Sequence, residues 1–148
     1  MIWCGFEGGA VVWRSISQNG PDSLGIEGTA DPAQDRAWTT ETLGLERGAP
    51  AFADNALLAL HDRHVGMKPF AHGSLWEGLA GSIVGQGVSV AGGATLLSRL
   101  AALVHPGVPL AGRTLWPLPE PAEIAALGVD RLRGVGLTRQ RAEAMAAA

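Results

Sequence analysis

The fold of this chain depends on the stretch Ile83-Val84-Gly85-Gln86-Gly87-Val88-Ser89-Val90-Ala91-Gly92-Gly93, which lies within 21 consecutive uncharged residues, Gly78 to Ser98. A membrane span, a phosphate loop and a joint between two packed helices are the three candidate structures. A lipid-facing span is disfavoured because only ten of the 21 residues are Leu, Ile, Val or Ala, while six are Gly and five are polar. No Gly-Lys-Ser/Thr follows these glycines, and Gly85-Gln86-Gly87 lacks the third glycine of a dinucleotide fingerprint. The stretch is therefore interpreted as a joint.

The joint is predicted to reverse the chain at a glycine. A first helix is expected to end near Gly85, Gly87 lets the backbone turn, and Ser89 is placed to cap a second helix. The chain is expected to fold back at Gln86 into an antiparallel pair of buried helices, with the Gln86 amide at the mouth of a groove.

Helical patterns flank the joint on both sides. Ser74 opens the first helix, and Glu77 three residues later completes the sequence pattern of a capping box. The first helix is predicted to bury a wide face made of Leu75, Leu79 and Ile83 with Trp76, Ala80 and Val84 beside them. The second helix carries Ala94, Leu97 and Leu100 on one line, with Leu96, Leu103 and Val104 beside it, and is expected to end before His105.

The N-terminal residues have the alternation of antiparallel strands. Ile2 to Phe6 and Ala10 to Ile16 are rich in aromatic and β-branched residues, and Gly8-Gly9 between them suits a hairpin turn. A short third strand is predicted at Leu24 to Ile26, and helical spacing begins after Pro32. Two or three strands cannot form a stable sheet alone, so this sheet must pack on the helices that come later in the chain.

Further helices are predicted on both sides of the central pair. They are expected at Ala51 to His64, at Ala122 to Leu127, in a short segment capped by Asp130, and at Arg139 to Ala148. Thr138 is placed to cap the last helix, which has no terminator and offers no evident partner for Met145.

These patterns predict an α+β fold, with a small N-terminal antiparallel sheet packed on a mainly α-helical domain that is incomplete at its C-terminus. Residues 1–48 are assigned to the antiparallel β region with a linker. Residues 49–148 are assigned to the first part of the helical domain.

Composition limits the functional classes. Cys4 is the single cysteine, which excludes an intrachain disulfide and a four-thiolate metal site within these residues and suits a reducing cytoplasm. His61 and His64 have helical spacing, but surface histidines are the favoured interpretation, and no metal or cofactor is expected. The net charge of −3 argues against a nucleic-acid partner, yet it is uneven: residues 1–84 carry five basic and ten acidic residues, whereas residues 85–148 carry six basic and four acidic ones.

Three segments resemble one family of DNA repair enzymes. The segment Ile83 to Val90 resembles the Ile-Leu-Gly-Gln-(Gln/Leu)-Val-Ser-Val motif of the DNA-3-methyladenine glycosylase II branch of the helix-hairpin-helix DNA glycosylases. Leu132 to Ala144 and Trp116 to Leu127 resemble two further segments of that branch, in the same order and spacing. The resemblance covers residues 65–148 well and residues 1–48 loosely, and so concerns the N-terminal part of the family alone.

The resemblance implies base-excision repair by a parent protein that hydrolyses the N-glycosidic bond of an alkylated base of the 3-methyladenine type in double-stranded DNA. It also implies two helical subdomains flanking a cleft, no metal, no membrane association, and a monomer when complete. The family's catalytic Asp and its helix-hairpin-helix would lie beyond residue 148, so no catalytic residue is assigned to this chain and it is expected to be inactive alone.

Five residues are predicted to contact DNA. The resemblance places Gln86 at the minor groove near the extruded nucleotide, and Gly87 at the position where a Leu or Gln of the family fills the gap left by the flipped base. The other three predicted DNA-binding residues are Ser89, Arg139 and Arg141. Glycine has no side chain to fill that gap, which argues against base flipping. Two alternative functions stay open: a non-catalytic DNA-binding relative, against which the acidic net charge and Gly87 both count, and an α-helical protein-interaction module.

Overall fold

The computed structural model describes residues 1–48, 53–64, 71–110 and 112–148. Its N-terminal sheet is an antiparallel meander of β1 (Ile2–Glu7), β2 (Ala10–Gly20) and β3 (Ser23–Gly28), with β2 in the centre. The β1–β2 turn has positive φ at both Gly8 and Gly9, as the sequence predicts. Val12 and Ile16 of β2 are buried on one face of this sheet.

Helix α1 (Pro32–Thr42) packs on the sheet around an arginine. Arg14 of β2 is only 1% exposed, its Nε lies 2.6 Å from Asp35 Oδ1 of α1, and its two terminal nitrogens reach the Glu7 carboxylate at 2.6 and 2.8 Å. Its guanidinium carbon also lies 5.2 Å from the ring centre of Trp3 and 4.8 Å from that of Trp38. Pairing to two carboxylates offsets the cost of burying this charge.

Helix α2 (Asn55–Arg63) is shorter than the predicted helix at Ala51 to His64, and the first residues of that prediction lie outside the described ranges. Its N-cap is Asp54, whose carboxylate accepts hydrogen bonds from the amides of Ala56 and Leu57. None of the residues of α2 is buried.

The central pair consists of α3 (Leu75–Gly85) and α4 (Val90–Ala102). The prediction that α3 buries a wide face including Leu75 and Leu79 is wrong, because Leu75 is 91% exposed and Leu79 is 43% exposed. The neighbouring stripe faces the core, where Ala80 and Val84 are fully buried. Two apolar stripes lie side by side on this helix, and packing against the later helices selects the second.

The chain after α4 contains a hairpin that the sequence patterns do not predict. Strands β4 (Val108–Leu110) and β5 (Arg113–Leu115) pair antiparallel. The chain then enters α5 (Pro121–Gly134), which is kinked at Gly128 where φ is +73°. This non-helical glycine divides α5 into two segments, so the predicted helix at Ala122 to Leu127 and a second short one are both present. Only the prediction that Asp130 caps the second is wrong, because the break falls two residues earlier, at Gly128.

The last helix, α6 (Arg139–Ala147), closes the core, and Thr138 caps it as predicted. The expectation that Met145 lacks a partner is wrong, because Met145 is 1% exposed within the main apolar cluster. The buried members of that cluster are Ala80, Val84, Leu100, Ile124, Leu132, Val135, Leu137, Ala142 and Met145.

The sheet joins the helices through a few specific contacts. The Trp3 indole N–H lies 2.8 and 3.1 Å from the two carboxylate oxygens of Glu77 on α3. The Phe6 ring lies 4.6 Å from the ring of His105, which comes after α4. The predicted α+β class, with a small antiparallel sheet packed on helices, is confirmed.

Candidate nucleic-acid interface

The joint between α3 and α4 is a sharp, glycine-centred turn. The axes of the two helices are bent by 118°, so the chain turns back without making the pair fully antiparallel. Gln86 ends α3 in an extended conformation and Gly87 comes next with φ of +63°, a region that side chains disfavour. Ser89 then caps α4, since its Oγ accepts a hydrogen bond from the Gly92 amide at 3.1 Å. The predicted turn and cap are confirmed.

The joint lies at the surface. Gln86, Gly87 and Ser89 are all exposed, and Val90 after them is 93% exposed. Helix α4 begins at this turn, so the positive end of its dipole lies there too. Behind the turn, the helices approach closely: a Cβ on Gly93 would lie 3.7 Å from the Gly85 Cα, an ordinary contact distance.

Helix α6 brings Arg141 onto the joint from 55 residues away along the chain. The Arg141 Nη2 donates a hydrogen bond to the Gln86 carbonyl oxygen. The same nitrogen lies 3.6 Å from the point that a Cβ on Gly87 would occupy. Arg141 is half-buried, whereas the neighbouring Arg139 is exposed and pairs with Glu143 at 3.3 Å. Of the two predicted arginines, the structure therefore brings Arg141 to the joint.

Arg99 is a further cation, outside the five residues predicted to contact DNA. It lies in the last turn of α4, where a cation complements the helix dipole. Its Nη1 lies 4.0 Å from the point that a Cβ on Gly136 would occupy, which places it beside the turn between α5 and α6. The signal in the sequence that could have identified Arg99 is its position as a basic residue in the last turn of the predicted helix.

A separate polar cluster lies between the sheet and the central helices. Trp3, Cys4, His72 and Glu77 contribute to the lining of a cavity of about 250 Å³ there. Burial raises the pKa of the Glu77 carboxyl, although the hydrogen bond from Trp3, backbone hydrogen bonds and the charge of His72 lower it. Burial and then the charge of Glu77 raise the pKa of the Cys4 thiol. These interactions join the sheet to α3, away from the contacts made at the joint.

Two other kinds of site find no support in the described ranges. Among those residues, no group of three His, Cys, Asp or Glu side chains is arranged to hold a metal ion. Within the same ranges no single helix is long and apolar enough to cross a membrane, and α3 with α4 passes that test only as a bent pair.

Comparisons with known proteins find similarity in three dimensions and not in sequence. No protein-family model matches the chain, and no curated protein matches it either. A 3-methyladenine DNA glycosylase from Archaeoglobus fulgidus superposes with a TM-score of 0.76 at 22% identity, over 99% of this chain and 54% of that one.

Two further solved structures have the same fold. MBOgg1, in complex with a low-affinity DNA ligand, matches with a TM-score of 0.72 at 18% identity, over 98% of this chain and 50% of that chain. The apo form of the 8-oxoguanine glycosylase/lyase of Clostridium acetobutylicum matches with a TM-score of 0.70 at 13% identity, again over 98% and 50%. The chain thus spans about half the length of each, and the resemblance to DNA glycosylases is confirmed at the level of the fold.

Proposed function

We propose that this chain, which has the fold of DNA glycosylases over about half of their length, binds double-stranded DNA through the joint at Gln86 and Gly87 as part of a base-excision repair enzyme. The observation that carries the proposal is the exposed, sharply bent turn with Arg141 held against it, within that fold. An exposed turn of this shape presents backbone groups, an amide side chain and a cation together, and these are the groups that contact phosphates and base edges.

The electrostatics of the joint favour a phosphate backbone as the partner. Arg141 supplies a positive charge at the turn, and the N-terminus of α4 adds the positive end of a helix dipole. The C-terminal 64 residues carry six basic and four acidic residues, in contrast to the acidic N-terminal part. Binding carried by such contacts weakens as salt concentration rises.

For the lesion, we propose an alkylated base of the 3-methyladenine type. The names of the similar structures cover both 3-methyladenine and 8-oxoguanine enzymes, so the fold alone does not choose between them. The choice is supported by the sequence of the joint, Ile83 to Val90, which resembles the motif of the alkylation-repair branch. An alkylated base that carries a positive charge is already a good leaving group, so strong general acid catalysis is not required.

We propose further that these 148 residues supply DNA binding and no catalytic group. Cleavage of the glycosidic bond develops positive charge at C1′, which an aspartate can stabilise. Glu143, on the same helix as Arg141, is paired with Arg139 and exposed to solvent, and matches no catalytic position of the resembling family. The resemblance assigns the catalytic Asp to sequence beyond these residues.

The test is salt-dependent binding of the 148-residue chain to a duplex that contains one alkylated base, monitored by fluorescence anisotropy. We expect binding that weakens by at least about tenfold between 50 and 200 mM salt, as expected when several phosphates are contacted. A gene product extended beyond residue 148 should release the alkylated base, whereas the 148 residues should not. If the 148-residue chain shows no salt-dependent binding, the proposal is wrong.

A protein-interaction module is the second candidate, and exposed apolar side chains favour it. Leu57, Leu58 and Leu60 on α2 are 47%, 38% and 53% exposed, and Leu75 is 91% exposed. Such residues would be buried against a protein partner. Analytical ultracentrifugation separates the two functions, because a defined oligomer that binds no DNA supports the interaction module.

A further inference from the structure

Gly87, in the middle of the joint, has no side chain. Gly87 is exposed and has φ of +63°, so replacing it with most other residues would strain the backbone. A Cβ built on Gly87 would meet a single kind of neighbour within 4 Å, the Arg141 guanidinium at 3.6 Å. The Arg141 guanidinium is therefore the group that lies beside the Gly87 backbone.

Arg141 is held at this place by a contact with the joint and by the start of α6. Its Nη2 donates to the Gln86 carbonyl, which ties the guanidinium to the residue before Gly87. Its own backbone amide is tied to the Thr138 hydroxyl at 3.4 Å, in the first turn of a helix whose inner face is buried through Ala142 and Met145. A guanidinium that is already held against the joint loses less conformational entropy on binding than a free one.

We propose that Arg141 fills the gap left by an extruded base, in place of the side chain that Gly87 lacks; this inference rests on the proposed function. A guanidinium is planar and can stack on a base while its remaining N–H groups donate to base edges or phosphates. It enters the minor groove readily because the potential there is negative. Arg141 therefore supplies a positive charge, which the minor groove attracts, and a flat group, which can stack on the bases beside the gap.

The experiment separates gap filling from simple charge neutralisation. A duplex carries 2-aminopurine at the target position, because the fluorescence of this base rises when it leaves the stack. The intact chain is titrated to saturation, and the dissociation constant is measured by anisotropy on the same samples. Three variants are compared with the wild type: Arg141→Lys, Arg141→Lys combined with Gly87→Gln, and Arg113→Lys as a control on the exposed β5 strand.

Arg141→Lys keeps the charge but loses the planar group, so we expect roughly a threefold smaller fluorescence rise when the rise is read at saturation, where any change in the dissociation constant no longer affects it. Adding Gly87→Gln strains the turn at its positive φ, but it should still restore part of the rise because a side chain again occupies the gap. Arg113→Lys should match the wild type in both readouts. Thermal melts of each variant check that all of them are folded.

The inference is overturned if Arg141→Lys gives the full fluorescence rise, since Arg141 then acts as a charge alone. It is also overturned if the wild-type chain binds the duplex without any rise. In both cases the proposed DNA binding stands. If the wild-type chain binds no DNA under any salt condition, the proposed function and this inference fail together.

Discussion

At the scale of single residues, Glu77 shows how the sheet depends on the helices. Its carboxylate sits under the Trp3 indole, and burial raises its pKa above the ordinary value of 4.5. The folded chain therefore holds this proton more tightly than the unfolded chain. The contribution of Glu77 to the free energy of unfolding is therefore fully present below the ordinary pKa. It is lost as the pH rises through the raised pKa of the folded chain.

Glu77→Gln removes this ionisation. We expect the free energy of unfolding of the wild type, relative to that of the variant, to fall as the pH rises above the ordinary pKa of 4.5, because the raised pKa makes ionisation of Glu77 costly in the folded chain. Urea unfolding monitored by tryptophan fluorescence at several pH values on both sides of the ordinary pKa measures the difference. Trp3→Phe removes one hydrogen bond that lowers the pKa of Glu77, so the fall should be larger in that variant. A difference that is independent of pH contradicts the prediction.

At the scale of elements, the caps and turns are the parts that local sequence predicts well. Ser89 and Thr138 cap α4 and α6, and Gly8-Gly9 and Gly87 adopt positive φ, as their residue types require. These features depend on neighbours three or four residues away. Which face a helix buries is not decided by such near neighbours. Helix α3 carries two adjacent apolar stripes, and the periodicity of its sequence fits burial of either one.

Ser89→Ala removes the cap of α4 at the joint. We expect a loss of about 1 kcal/mol in the free energy of unfolding, because the Gly92 amide loses its acceptor at the helix N-terminus. Urea unfolding measures the loss. Ser82→Ala is the matched control, since the Ser82 hydroxyl donates to the Gly78 carbonyl inside α3 and caps nothing. Equal effects of the two substitutions would contradict the role of Ser89.

At the scale of the whole molecule, the last helix completes the core. Met145 lies in the same buried cluster as residues of α3, α4 and α5, although no sequence pattern predicts a partner for it. Arg14 with Glu7 and Asp35 is a second example, because one buried charge with two partners joins β1, β2 and α1. Neither arrangement has a periodicity that a sequence pattern could reveal.

Met145→Ala tests whether α6 belongs to the core. We expect the free energy of unfolding to fall by about 2–5 kcal/mol, because the substitution leaves a cavity among fully buried side chains. Urea unfolding measures the change. Leu75→Ala also shortens a large apolar side chain, but at a site that is 91% exposed, so it should change stability by less than about 0.5 kcal/mol. A small effect of Met145→Ala would mean that α6 is only loosely attached.

The sequence by itself determined the three strands of the N-terminal sheet, the turn at Gly87, and the caps of α3, α4 and α6 by Ser74, Ser89 and Thr138, because each depends on the backbone preferences of a few adjacent residues. Only the tertiary structure decided which stripe of α3 is buried, that Met145 is covered, and that Arg141 rather than Arg139 reaches the Gln86 carbonyl. Those outcomes join residues that are far apart in the chain. The free energy that selects them comes from packing several elements at once, which no short window of sequence contains.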